Sequence, residues 1–155
     1  DVYARQDSII ENRDKLEMLL VRAHVEAKKA WDLGATEEQM KDLLWDIRHA
    51  QWRWDYAAAS HGGSFHSPIE TGRIISSGIE VAQEARIKLH RVLFSLGHTE
   101  EIPYPDIATK DKAQEFIGLP MEKLKEEKET FKKNLLPKWL EAAEKREKEW
   151  GKKVK

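Results

Sequence analysis

The sequence contains no cysteine. That excludes disulfides, a thiol nucleophile, thiolate zinc and iron–sulfur sites, and covalent attachment of a prosthetic group through C-x-x-C-H within these residues. It also lacks a dominant charge. Formal net charge is -1 over 155 residues, with Lys and Arg intermixed with Asp and Glu, so no global basic field is present to hold nucleic acid. No apolar run approaches the roughly 20 residues of a membrane span, so no membrane insertion is expected. Alternating Val, Ile and Thr are missing throughout, and no strand is expected. What remains is 35% charged and 40% hydrophobic, the balance of a globular helical chain of one-domain length.

The spacing predicts an all-α antiparallel bundle of about five helices, one domain over residues 1–155 with a charged tail at 141–155. Ser8 with Glu11 reads as a capping box opening a first helix over about 9–32, ended near Gly34. Thr36 with Gln39 opens a second over about 37–59. A loop follows through Ser60-His61-Gly62-Gly63-Ser64-Phe65-His66. Ser67 is expected to cap a third helix with Pro68 at its first position, ending at Gly97. Residues 98–108 read as an extended connector through Pro103 and Pro105. Thr109 starts a short helix stopped by Gly118, and Pro120 begins a last helix that Pro137 breaks or kinks near Leu136. In that last helix Met121, Leu124, Phe131 and Leu135 form the stripe, with Glu129–Lys133 and Glu141–Lys145 as exposed pairs.

Two helices are apolar on two sides. The second carries Met40, Leu43, Ile47, Ala50, Trp54 and Ala57 on one stripe and Trp45, His49, Trp52 and Tyr56 on another. The first shows Leu16, Leu20, Ala23, Ala27 and Trp31 against Met18, Val21 and Val25. A helix apolar on two sides packs on two sides, and helices of this number cover only one, which points to a neighbour outside the chain. In the third helix Gly72, Ser76 and Gly78 leave the first turns thin for a close approach.

Candidate chemistry centres on histidines. His66 follows a Gly-Gly pair and an aromatic, where the backbone is free to present the ring outward. It reads either as a metal or axial haem ligand or as a loop histidine bonded to water or backbone. His61 and His66 make H-x4-H, a weak metal signal without a third ligand. Asp46 and His49 match half of a helical di-iron motif whose other half is missing. The Trp45, His49, Trp52 and Tyr56 stripe suits core or interface, with Arg48 and Arg53 beside it able to meet carboxylates, haem propionates among them. His24 reads as a helix residue near the core edge, and His90 and His98 as exposed. No phosphate loop, nucleophile elbow or zincin motif occurs, so no self-contained active site is expected.

Three strings carry a resemblance: Ala23-His24-Val25-Glu26-Ala27-Lys28-Lys29-Ala30-Trp31, then Asp46-Ile47-Arg48-His49-Ala50-Gln51-Trp52-Arg53-Trp54-Asp55, then Ala59 through His66. Pro105-Asp106-Ile107-Ala108-Thr109-Lys110 with Ala113-Gln114 and Ile117-Gly118-Leu119 adds to them. Together they resemble the C-terminal helical region of the ammonia-forming pentahaem cytochrome c nitrite reductases, from about residue 8 to about residue 140. The resemblance implies a periplasmic homodimer that reduces nitrite to ammonium by six electrons through packed c-type haems, with long C-terminal helices at the dimer contact. It also implies that His66 is the distal axial ligand of a bis-histidine haem; no ligand role is carried onto His49 or His61, and Arg48, His49, Trp52 and Arg53 are expected only as candidate haem-side contacts. The haem attachment motifs, the catalytic residues and the calcium ligands of that family all belong upstream of this region. The chain is therefore expected to be an excised C-terminal domain, without attached haem and inactive alone. It would pack against the haem-bearing N-terminal part of the same protein and against a partner subunit. A helical interaction module without cofactor is the alternative.

Overall fold

The computed structural model describes residues 2–153, with side chains through residue 151. The last two residues of the expected charged tail lie outside the described residues. The described chain is all-α, as the absence of strand patterning predicts. Its helices are α1 (Val2–Asp32), α2 (Glu37–Ala59), α3 (Gly63–His66), α4 (Pro68–Ser95), α5 (Lys110–Phe116), α6 (Met121–Asn134) and α7 (Leu136–Lys153).

Seven described helices replace the expected five for two local reasons. The Gly-Gly loop winds into the single turn of α3, and the last helix separates at Leu135 into α6 and α7. Pro137 explains the separation, because its ring collides with the carbonyl four residues back and it has no N–H to donate. Two start signals also act differently from their reading. Ser8 lies inside α1, because residues 2–8 hold no breaker and the first turns lie along Pro68, Ile69 and Gly72 of α4. Ser67 makes no side-chain cap; its N–H donates to Gly63 O at 3.0 Å, closing α3, and its residence before Pro68 holds it out of the helical region.

The chain divides into two compact units, one up to Tyr104 and one from Pro105. In the first, α1, α2 and α4 pack pairwise, and short connections at 33–36 and 60–67 turn each back beside the last. The first turn is fixed at both ends. Gly34, at φ +87°, lets Ala35 N donate to Ala30 O at 3.0 Å and closes α1. Thr36 then opens α2 through the expected box: Gln39 N donates to Thr36 Oγ1 at 3.3 Å and Thr36 N to Gln39 Oε1 at 2.8 Å.

The core takes most of the first stripe of α1 and α2 together with one face of α4; Trp31 stays 40% exposed, and Trp54 and Ala57 are half-buried. Leu16, Leu20, Ala23 and Ala27 meet Met40, Leu43, Ile47 and Ala50 and Ile75, Ala82, Leu89 and Leu93. Each large side chain fully withdrawn from water contributes about 1.5–3 kcal/mol. Small residues set the spacing. A Cβ on Gly78 would lie 2.7 Å from Leu16 Cδ2 and 3.2 Å from Arg53 Cβ, so at Gly78 the thin face of α4 accommodates α1 and α2, whereas at Gly72 it meets nothing within 4 Å.

The second unit is built otherwise. Thr109 caps α5 by accepting from Lys112 N at 3.3 Å. Leu124, Phe131 and Leu135 stay more than one third exposed, and none of the described residues of this unit is buried. Phe131 and Trp139 meet edge to face at 5.3 Å across the α6–α7 break. Glu129 pairs with Lys132 at 2.9 Å rather than with Lys133.

Candidate functional site

His66 ends α3, where the turn is knit by short backbone bonds. Gly63 N donates to Ser60 O at 2.8 Å, His66 N to Gly62 O at 2.8 Å and Phe65 N to Gly62 O at 3.1 Å. Thr71, buried on α4, supports this turn from below: a Cβ on Gly63 would come within 3.0 Å of its Oγ1. The His66 side chain is exposed, and among the described residues nothing hydrogen-bonds its imidazole. Phe65 stands edge-on to the ring at 5.0 Å. A free imidazole on a hydrogen-bonded turn keeps a lone pair available to an electrophile outside this chain. His61 is exposed in the same turn, and no three His, Cys, Asp or Glu side chains converge on a metal position among the described residues.

The second stripe of α2 lies open as one aromatic strip. Trp45 and Trp52 are 53% and 54% exposed, and Tyr56 is exposed with them. His49 stands between the two indoles, with ring centroids at 4.8 Å from Trp45 and 5.9 Å from Trp52. Arg48 lies over Trp52 at 5.4 Å, a cation–π contact that leaves it at the surface. Arg53 is committed internally. Its Nε donates to Ser77 Oγ at 3.0 Å and its Nη1 to His49 O at 2.8 Å, tying α2 to α4. Asp46 faces α4 as well and pairs with Lys88 at 2.5 Å. The structure thus gathers Arg48, His49 and Trp52 on one face and sets Arg53 into the helix contact.

A polar cluster that spacing did not single out sits under the connector. Glu26 on α1 is fully buried. Arg86 donates to it from Nε at 2.9 Å and Nη2 at 2.5 Å, Tyr104 from its hydroxyl at 2.6 Å, and His90 lies 3.1 Å away through Nε2. Burial alone raises this carboxyl, but the bonds from Arg86, Tyr104 and His90 outweigh it and hold its pKa below the ordinary range. Burial and the bond to Glu26 push the Tyr104 hydroxyl up. Burial lowers His24 despite a bond from Gln51 that raises it. His90 is exposed as expected, whereas His98 is half-buried because its N–H turns back to Leu93 O at 3.0 Å.

Among the described residues no helix is long and apolar enough to cross a membrane. The family model for cytochrome c552 matches residues 1–150. Among curated proteins, a cytochrome c-552 of Bacteroides thetaiotaomicron is 55% identical over 143 residues, 92% of this chain and 29% of its own length. Those of Parabacteroides distasonis, 51% identical over 93% of the chain, and Porphyromonas gingivalis, 52% identical over 92%, are covered to the same 29% of their lengths. The chain spans less than a third of the curated relatives it matches, and it belongs to the cytochrome c552 family.

Proposed function

We propose that this chain is the helical portion of a longer multihaem cytochrome c nitrite reductase, and that His66 is the distal axial ligand of one bis-histidine haem c in it. The observation that carries the reading is the exposed imidazole of His66, without a hydrogen bond among the described residues, on a turn closed by main-chain hydrogen bonds. The residues suit one half of such a site and no more: an imidazole donor is present, and thiols for covalent attachment are not. Haem c, when bound, supplies a one-electron couple at its iron. His66 would fill a coordination position and so close it to substrate, which assigns the position to electron relay. Phe65 would stand edge-on beside the His66 ring. Arg48, His49 and Trp52 present a cationic–aromatic face suited to a haem edge with its propionates, or to a partner subunit. Six-electron reduction of nitrite to ammonium, a bound calcium, a periplasmic setting and a homodimer belong to the same proposal for the whole protein.

In the full-length protein, His66→Ala should convert one low-spin haem to high spin and slow turnover, as read by absorption and electron paramagnetic resonance. An unchanged haem spectrum removes the assignment. A helical interaction module is the second reading, favoured by the open Trp45–Trp52 face. C-x-x-C-H motifs preceding this segment in the complete reading frame would decide against it, and their absence would decide for it.

A further inference from the structure

Gly62 has no backbone reason to be glycine. Its φ of −101° and ψ of −3° are open to any residue. The reason is space. A Cβ built there would stand 2.9 Å from His66 Cδ2 and 3.6 Å from His66 Nε2, and nothing else within 4 Å would meet it. The imidazole therefore lies back over Gly62, in the volume a methyl group would take. Its neighbour differs in kind: at Gly63 the added carbon would meet Thr71 Oγ1 at 3.0 Å and Ser60 Cβ at 3.1 Å, groups that belong to the fold.

We propose that Gly62 is a positioning residue for His66, its missing side chain setting the direction in which the ring nitrogen points. The inference rests on His66 being an axial ligand. A methyl group at position 62 can be relieved only by rotating the ring, because the ring is the one group it strikes. The ring is exposed and hydrogen-bonded to nothing among the described residues, so it yields while the turn holds. The turn holds because its closing bonds run from main-chain groups to the carbonyls of Ser60 and Gly62, which an alanine keeps. The supporting shell of a ligand fixes its orientation, and with it the ligand field at the metal.

The test uses the full-length protein and compares Gly62→Ala with His66→Ala, Gly63→Ala and Gly72→Ala. Gly72 is the control, since a Cβ there meets nothing within 4 Å. Gly62→Ala should keep wild-type haem content and melting temperature. It should shift the resonance signature and midpoint potential of the haem that His66→Ala turns high-spin, and of no other haem. Gly62→Val should enlarge that shift. Gly63→Ala should lower the melting temperature, and Gly72→Ala should match wild type in every readout. If His66→Ala leaves the spectra unchanged, the ligand reading itself falls. If His66→Ala acts but Gly62→Ala is spectroscopically wild type, the positioning role alone falls. Loss of folding or of haem in Gly62→Ala also overturns it, because the contact would then not be with the ring alone.

Discussion

Glu26 shows what one residue can hold. One of its oxygens receives Arg86, Tyr104 and His90 together, two of them from α4 and one from the connector. Removing the charge while keeping the shape leaves the half-buried guanidinium of Arg86 without a charged partner, which costs about 2 kcal/mol. Glu26→Gln should therefore lower the denaturation midpoint strongly in urea titrations, and a variant as stable as wild type would refute the clasp. The pH dependence has a definite sign. An unfolded glutamate titrates near about 4.3, and the folded value lies below it. The clasp's contribution is thus complete above the unfolded value and is lost as the pH falls through the folded one. Stability of wild type should drop on that acid limb, and Glu26→Gln should flatten the drop. Spacing could not find this cluster, because its members stand 60, 64 and 78 residues from Glu26. His66 was legible for the opposite reason: its exposure follows from neighbours in sequence, a glycine pair and a proline-started helix.

At the scale of elements, signals with a partner a few residues away were readable, and those decided by distant packing were not. Thr36–Gln39, Gly97 and Thr109 mark helix ends where the spacing puts them, because each cap is closed locally. Ser8 carries the same kind of signal as Thr36, yet α1 runs past it, since α4 lies alongside its first turns. The break at Leu135 belongs with the local signals. Pro137→Ala restores the missing N–H and removes the clash with the carbonyl of Lys133, so α6 and α7 should merge through residue 135. Circular dichroism should then gain ellipticity, and the amides of 135–139 should exchange more slowly. Unchanged exchange there would place the cause of the break elsewhere.

For the molecule as a whole, the two units differ in what withdraws them from water. The first closes on Leu16, Met40, Leu43, Ile75 and Leu89, all fully buried or nearly so. The second keeps Leu124, Phe131, Trp139, Leu140 and Trp150 in contact with solvent. Helix hydrogen bonds without burial behind them open at little free energy. Hydrogen exchange of the chain by itself should find α1, α2 and α4 slow and α5, α6 and α7 fast, and equal protection in both units would contradict the difference in burial. The two-sided apolar pattern of α2 announced an outer face in need of cover. Nothing in the pattern announced that a whole unit would lack an interior, because its stripe has the ordinary helical period.

A stretch without an interior cannot collapse on its own account. During synthesis, α5 to α7 would emerge sticky and remain so until some other surface shields their tryptophans and leucines. The three-helix body has a core of its own on which to close, and the described residues of the trailing helices have none.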